Sequence, residues 1–537
     1  MILCYSVLSV AISFFIRILP QTTHMKNATR LLYLLAIIRF VLPFLLVHPS
    51  YQLHRDEYLY LAEGHHLAWG FLEVPPMLSF MAYISNTMGA TEFWVKFWPA
   101  LFGSLILLMM GKIILRLGGR SFAILLASFP FLFTGYIRMF YFFHPNFLDV
   151  FFWTLNAYAL INFVDTQKNR WLYIFGISIG LGMLSKYSVA FYTASLLVGI
   201  LLTKNRSVFL NKHLYFSAAI ALLIMLPNLI WQYQHGFPLF THMQELKETQ
   251  LQFIDPKDFL VDQIMMFLPC VFIWISGLLY VLLSAEGRKY RMIGFSYFAV
   301  IALLTYMNGK SYYAAGVYPI LFAFGAYWLE RLTMAKLRWL RYAMVFIPAT
   351  LGILIMPLLL PVYAPQKLAD WYRSKNIHTT GSFKWEDLQY HPLPQDFADM
   401  IGWKELAEKT ASVYKSLPES EQRKTMIYCR GYYTAGALNY YAKQTGLPIV
   451  YSDDASFLFW MPEQYDFKHL ILVGKRMPDA DDIVFQQFEK VSLRDSIDYP
   501  LFRETKTKIF LFENGNDSLQ PITERGVAAL KARFSRK

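Results

Sequence analysis

Two adjacent acids, Asp56 and Glu57, and a third, Glu73, stand in one polar stretch, YQLHRDEYLYLAEGHHLAWGFLEVPPMLSF (residues 51–80), between apolar segments. A carboxylate at the edge of a bilayer can act as a general base, taking the proton of an attacking hydroxyl. The same pair also suits the first turn of a helix over LYLAEGHHLAW, where the dipole favours acids. Glu63 shares the helix face of Asp56. His65 and His66 are neighbours, so they point to different faces and make poor co-ligands. Glu73 precedes Val74-Pro75-Pro76, whose fixed backbone opens a second helix near Met77; an acid there is a cap or a ligand.

Further ionisable residues lie near the ends of apolar runs: Arg138, Asp149, Lys186, His242 and Lys310, the last followed by Ser311, Tyr312 and Tyr313. Charges at membrane depth are costly and mark functional sites, although a lysine near a helix end can also snorkel to the interface. A cation beside tyrosines could hold a phosphate while the rings line a sugar or lipid pocket; the alternative is an aromatic belt. All of these fall on one predicted side of the membrane.

The elements that position them follow from composition. The 537 residues are 56% hydrophobic and 18% aromatic, with 16% charged. Soluble domains carry roughly 25% charge, so the chain is read as a polytopic membrane protein. Its net charge of +13 is dispersed in short clusters between apolar runs and does not point to nucleic acid. Cys4, Cys270 and Cys429 offer no disulfide framework or zinc spacing.

Eleven apolar runs of near-spanning length follow residue 30: 31–48, 94–115, 121–136, 144–163, 171–186, 187–203, 213–231, 261–284, 292–307, 312–330 and 342–363. Alternation puts Lys112, Arg116, Arg120, Lys168, Arg170, Lys204, Arg206, Lys212, Arg288, Lys289, Arg291, Arg331, Lys336, Arg338 and Arg341 on one side, which the positive-inside rule makes cytoplasmic. Residues 49–93, with Arg55 as their lone Lys or Arg, then lie outside, as do 232–260 and everything after 364. Residues 1–30 are either an extra helix over 1–19 or an over-extended start, with Met25 as the alternative.

Residues 364–537 lose the spanning pattern. Helical periodicity over 403–417 and 434–446, and short β-rich runs at KTMIYC, PIVYS, HLILVGK and KIFLF, predict a soluble α/β domain tethered outside. No glycine-rich nucleotide loop is present, so chemistry on the outer face calls for a donor that is not a nucleotide, and a lipid-linked donor fits.

Several stretches in order resemble a known family: RDEYLYLAEGHHLAWGFLEVPPML, FHPNFLDVFFWTLNAYAL, GISIGLGMLSKYSVAF, PNLIWQYQHGFPLFTH, GKSYYAAGVYPIL and RGYYTAGALNYYAKQTGLPIVYS. They are similar to bacterial glycosyltransferases of family 39, the protein mannosyltransferase and Rgt-like group, which share the GT-C fold with the aminoarabinose transferase of lipid A. The resemblance implies a GT-C domain over 31–363 with catalytic loop 49–93. It also implies an inverting hexosyl- or pentosyltransferase in a bacterial inner membrane, working at the outer face. The donor would be a polyprenyl-phosphate sugar and the acceptor an envelope lipid, glycan or protein. By the same resemblance Asp56, beside Glu57, is the base. Lys186 and Lys310, with Arg138 behind them, hold the donor phosphate, and Asp149, Tyr312 and Tyr313 complete the substrate pocket. Glu73 and His242 match positions that hold a divalent ion in some relatives. One departure is Val74, where relatives often carry a lysine. Rival readings are a transporter or flippase, an oligosaccharide ligase, or a scaffold binding envelope polymers; a transporter would call for related halves and midplane charges, and no repeat is evident.

Overall fold

The computed structural model describes residues 23–335, 337–479 and 481–534. The expected run 1–19 and Lys336 lie outside them. Every one of the eleven apolar runs contains a helix. In chain order the principal helices of the first part are α1 (Thr23–Leu46), α2 (Arg55–His65), α3 (Met77–Thr87), α4 (Glu92–Arg116), α5 (Ser121–Phe133), α6 (Gly135–Met139), α7 (Pro145–Thr166), α8 (Arg170–Met183), α9 (Val189–Leu201), α10 (Lys212–Gln234), α11 (Pro238–Thr249), α12 (Pro256–Met265), α13 (Val271–Leu283), α14 (Arg291–Tyr306), α15 (Tyr318–Leu332) and α16 (Leu340–Leu359).

Five of these are long and apolar enough to cross a membrane: α1, α4, α7, α10 and α16. A sixth is counted if α12 and the segment Leu268–Leu283, bent by 62° at their junction, form one span. Pro269 sits at that bend, where a missing N–H and a fixed φ break the ladder. Several of the remaining runs hold helices shorter than expected because helix gives way to turns at their ends. The run 121–136 stops at Phe133, and 171–186 stops at Met183, leaving Lys186 in the turn before α9. The fold is a helical bundle, while the number of crossings is fewer by length than the eleven apolar runs.

Small residues set the closest helix contacts. Where α13 meets α15, a Cβ on Gly277 would lie 1.9 Å from the Leu321 carbonyl oxygen, and one on Gly325 would lie 1.8 Å from that of Ile273. Neither position admits a side chain.

The basic loops meet at one end of the bundle. Asp165 accepts from Lys289 Nζ at 2.7 Å and from the Tyr290 hydroxyl at 2.8 Å, with Arg116 at 3.5 Å. Buried Glu330 accepts from the backbone N–H of Arg120 at 2.6 Å and of Ala123 at 3.2 Å, capping α5 from the end of α15.

From Pro365 the chain forms α17 (Pro365–Ser374), α18 (Trp403–Lys415), α19 (Tyr432–Thr445) and α20 (Leu519–Ala532) around a five-stranded sheet. The strands are β1 (Thr425–Cys429), β2 (Val450–Tyr451), β3 (His469–Gly474), β4 (Phe488–Ser496) and β5 (Lys508–Gly515), in the order β2-β1-β3-β5-β4. β1 pairs in parallel with β2 and β3, with Ile427 opposite Ile471, and β5 runs antiparallel to β3 and β4. Four strands coincide with the expected β-rich runs. β4 does not, because FEKVSLRDS is a mostly exposed edge strand without an apolar run.

This α/β part sits on the end of the bundle opposite the basic loops. Gln52 N–H donates to the Met400 carbonyl at 2.6 Å, and Lys404 N–H to Gln52 Oε1 at 3.1 Å. Buried Tyr58 on α2 packs among Tyr440 and Tyr441 of α19 and Trp403 of α18. Loop 49–93 is thus roofed by the C-terminal part, and that junction holds the site.

Candidate active site

The site begins at a helix N-terminus. His54 caps α2: its Nδ1 accepts from the Asp56 N–H at 3.2 Å, while Glu57 Oε2 accepts from the His54 N–H at 2.8 Å. This reciprocal box satisfies two N–H groups that a helix start leaves unpaired. It also directs the two neighbouring acids to different sides.

Asp56 turns toward the α/β part. Its Oδ1 accepts from the Tyr432 hydroxyl at 2.7 Å and lies 3.3 Å from Arg55 Nε. Its Oδ2 lies 3.8 Å from His54 Nδ1 and 3.9 Å from His144 Nε2, and the two imidazole nitrogens are 3.2 Å apart. Burial would push the Asp56 carboxyl up, but Arg55, then His54, His144 and the Tyr432 hydroxyl outweigh it and hold it well below the usual carboxylate range. The side chain keeps 25% of its exposure, so it is a charged carboxylate open to an incoming group.

Around it runs a second ring of charge from the α/β part. Arg503 donates to Asp399 at 2.9 Å and to Glu386 at 2.7 Å, and Arg55 lies 3.7 Å from Asp399 and 3.6 Å from Glu386. Burial pushes Asp399 up to about 7 despite Arg55 and Arg503. Asp396 is also resisted by burial, yet Arg138 brings it down to about 2.

Glu57 has a different place. Lys96 Nζ donates to its two oxygens at 2.6 and 2.7 Å, and Oε1 also accepts from the Phe143 N–H at 2.7 Å. Both side chains are completely buried. The expectation that Glu57 stands beside Asp56 as a catalytic acid is therefore corrected: every contact of its carboxylate is internal, and it braces α2 against α4 and the segment before α7.

Glu73 is likewise engaged inside the protein. Its carboxylate accepts from the Ser456 N–H at 2.7 Å and from the Ser456 hydroxyl at 2.6 Å, tying the loop to the α/β part. Glu63 lies against it and accepts from Ser79. Burial first, then the charge of Glu73, holds the Glu63 carboxyl well above its usual value, and burial raises Glu73 as well. His242 lies on α11, half-buried, with Glu245 as the charge acting on it. Among the described residues, the group of three or more potential ligands within metal-binding reach is His54, Asp56 and His144, and it includes neither Glu73 nor His242.

The expected cations divide by partner. Arg138 on α6 is paired with Asp396 and lies 5.0 Å from the centroid of Phe397, so its charge is already matched. Lys186 donates to Asn146 Oδ1 at 2.7 Å, lies 3.9 Å from Asp149, and stands 4.6 Å from the Tyr313 centroid and 5.6 Å from that of Tyr312. Asp149 also accepts from Ser188 at 2.9 Å. Lys310 donates to Gln250, a neutral partner. Burial lowers Lys310, while the charges of Glu386, Asp56 and Asp396 act to raise it. Lys186, Lys310, Tyr312 and Tyr313 therefore meet at the end of the bundle that carries Asp56.

Sequence reasoning missed His54, Arg55, His144, Asp396, Asp399, Tyr432 and Arg503 as site residues. His54, Arg55, His144 and Tyr432 stand in or beside the quoted stretches, near their first residues. Asp396, Asp399 and Arg503 lie in segments with no periodic signal, and only the fold brings them to α2.

Residues 73–231 match the dolichyl-phosphate-mannose-protein mannosyltransferase family. The lipid A galacturonosyltransferase RgtD of Rhizobium johnstonii is 21% identical over 193 residues, 36% of this chain and 41% of the relative. The match thus spans about two fifths of that relative's length. The crystal structure of ArnT from Cupriavidus metallidurans bound to undecaprenyl phosphate superposes with a TM-score of 0.56 at 14% identity, covering 92% of this chain and 98% of ArnT. The apo ArnT structure gives 0.54. At that identity the likeness concerns the fold alone, which is ArnT-like over 92% of the chain. Sequence match and fold agree with the resemblance read from the motifs: the chain is similar to the GT-C glycosyltransferases.

Proposed function

We propose that the chain transfers a sugar from a polyprenyl-phosphate donor to a hydroxyl of an envelope lipid, glycan or protein, with inversion, at the outer face of a bacterial inner membrane. In this reading residues 31–363 are the catalytic GT-C part, and the α/β part from 364 lies on the same outer side. ArnT crystallises with undecaprenyl phosphate, and RgtD acts on lipid A; both support a lipid-linked donor and an envelope acceptor. The observation that carries the reading is a partly open Asp56, its carboxyl held well below the usual range by Arg55, on the end of the bundle where Lys186, beside Asn146 and Asp149, and Lys310, beside Gln250, gather.

In the step proposed, the acceptor oxygen attacks the anomeric carbon, the bond from that carbon to the donor phosphate oxygen breaks, and the hydroxyl proton passes to Asp56. Polyprenyl phosphate leaves with its electron pair, stabilised by Lys186 and Lys310. A carboxylate held this low is a weak base toward a free alcohol. It suits a late proton transfer, after C–O bond formation has made the hydroxyl proton acidic, as an oxocarbenium-like path provides.

The test compares envelope glycolipids, glycoproteins and polyprenyl-phosphate sugars by mass spectrometry in deletion, wild-type and Asp56→Asn strains at matched protein levels. Loss of one sugar from an acceptor with accumulation of its lipid-linked donor, in the deletion and in Asp56→Asn alike, is expected. A deletion phenotype that Asp56→Asn does not reproduce would reject Asp56 as the base and favour a transporter or scaffold.

A further inference from the structure

We propose that the crevice at the carboxyl ends of β1 and β3 binds an anionic group of the acceptor, a phosphate or a carboxylate, through Arg430, Arg476 and Lys508. The role given to the anion rests on the glycosyl-transfer reading; the binding site itself does not.

The connections of the sheet set the place. From β1 the chain runs through α19 to β2 on one side, and from β2 it crosses back to β3 on the other side of β1. β3 then hands the chain to β4 at the far edge. Adjacent parallel strands whose connections leave in opposite directions open a crevice outside their carboxyl ends, and ligands of α/β sheets bind there. Here those ends are Cys429 and Val473, which are paired in the sheet. Arg430 follows one, and Gly474, Lys475 and Arg476 follow the other.

Side chains alternate along a strand, so Arg430 and Gly474 belong to the sheet face of Leu470, Leu472 and Phe510, which Leu519 and Val527 of α20 cover. Gly474 leaves the end of that face unfilled. A Cβ there would lie 3.8 Å from Cγ and Cδ of Arg430. Lys508 stands opposite Gly474 in the antiparallel pair of β3 and β5, and directly opposed residues share a face. Arg430 and Lys508 therefore flank a position without a side chain.

These cations are unmatched. Arg430 and Arg476 are exposed and Lys508 is half-buried, and among the described residues none of the three has an ion pair or a side-chain hydrogen bond. The acids nearby are engaged: Asp453 accepts from the Tyr428 hydroxyl at 2.5 Å, and Glu504 lies 3.1 Å from Lys475. Gathered cations repel one another until an anion joins them, and a guanidinium fork suits a phosphate or a carboxylate through two parallel hydrogen bonds.

Two links join the crevice to Asp56. Arg430 is two residues before Tyr432, whose hydroxyl donates to Asp56. Lys475 Nζ donates to the Arg503 carbonyl at 3.1 Å, and the Arg503 guanidinium holds Asp399 beside Arg55. A donor with a polyprenyl chain keeps its phosphate at the bilayer, by Lys186 and Lys310, so an anion taken by the α/β part belongs to the acceptor. Held there by its charge, an acceptor presents its hydroxyl to Asp56 in one register. The crevice thus favours acidic acceptors over neutral ones.

The experiment titrates the full chain in detergent with glycerol 1-phosphate, glucuronate and neutral methyl glucoside, followed by ligand-observed NMR. Saturable binding of at least one anion is expected, and none of the glucoside. Raising NaCl from about 50 to about 500 mM should weaken it several-fold. Arg430→Gln/Lys508→Gln should weaken it by about tenfold or more, whereas Lys186→Met/Lys310→Met should keep this component, which separates it from the place of the donor phosphate. Binding of glycerol 1-phosphate alone assigns a phosphate-bearing acceptor, and of glucuronate alone a carboxylate-bearing one. Thermal unfolding checks folding, and Arg476→Gln, on an exposed turn, replaces the double variant if that does not fold. Absence of saturable anion binding, equal binding of the glucoside, or anion binding that the folded variant retains would overturn the proposal. In cells the same variant should lower sugar on the acceptor while the lipid-linked donor accumulates; undiminished acceptor sugar with anion binding lost would overturn the acceptor role. Anion binding as proposed, with acceptor sugar unaltered in Asp56→Asn and in the deletion, counts against the glycosyltransferase reading alone.

Discussion

Helix α2 presents two consecutive carboxylates to two different environments. Toward the bundle, Glu57 is fully enclosed and takes hydrogen bonds from Lys96 and from the backbone of His54 and Phe143. Toward the α/β part, Asp56 keeps a quarter of its exposure and meets two histidines, an arginine and a tyrosine hydroxyl. Residue type does not separate the two acids; their partners do. An acid saturated from inside holds structure in place, and an acid with one oxygen left open toward a mouth of the protein can react. The contrast is also causal, since Glu57 and His54 close the capping box that fixes the direction of Asp56.

The largest expected difference is catalytic. Asp56→Asn removes the base while Asn can still accept from Tyr432, so turnover should fall by about 10²- to 10⁴-fold, the range for general base catalysis, with the unfolding midpoint nearly unchanged. Lys96→Met should show the opposite signature. It leaves Glu57 buried without its cation, a loss of about 3–5 kcal/mol in stability, read as a fall in the thermal midpoint and in folded yield. Adding Glu57→Gln to Lys96→Met should recover part of that loss. The comparison breaks if Lys96→Met is as stable as wild type, or if Asp56→Asn unfolds.

The cations differ in how they are held: Arg138 is hydrogen-bonded to Asp396, whereas Lys186 donates to neutral Asn146 with Asp149 at 3.9 Å, and Lys310 donates to neutral Gln250. Lys186→Met and Lys310→Met should each weaken donor binding by about tenfold, roughly 1.4 kcal/mol, measured as KM for the lipid-linked sugar. Arg138→Met should act chiefly on stability, because Arg138 is already paired with Asp396. An Arg138 variant with raised KM and an unchanged midpoint would restore it to the phosphate site.

Much of this was legible in the sequence, for identifiable reasons. Apolar length located a helix in each of the eleven runs, and the clustering of Lys and Arg foretold the end where Asp165 meets Lys289 and Arg116. The run at 171–186 was misjudged in length because Lys186 sits beyond a helix that ends at Met183, and apolar composition continues through the turn. Asp56 stood out as an acid in an apolar chain. Its histidine neighbours did not, because His54 and His144 are 90 residues apart and each resembles an ordinary interfacial histidine. Asp399 and Arg503 were illegible for a stronger reason: their meaning depends on the α/β part folding down on α2, and no local pattern encodes that.

Glu63 and Glu73 offer the finest test, because they join the loop to the α/β part without touching Asp56. Glu63 faces Glu73, Ser79 and Tyr60, and its folded value lies well above its ordinary 4.5. As pH rises past about 4.5 the unfolded chain releases this proton before the folded chain does. The folded state then binds more protons, and stability contributed here is greatest below that pH and falls as pH rises toward the folded value. Glu63→Gln keeps an acceptor for Ser79 and supplies an N–H toward Glu73, permanently imitating the protonated acid. The unfolding midpoint of Glu63→Gln should therefore match wild type near pH 4 and exceed it increasingly toward neutrality. A difference that stays flat, or reverses, would mean that Glu63 and Glu73 share no proton and that the Ser456 contact alone holds this side of the loop.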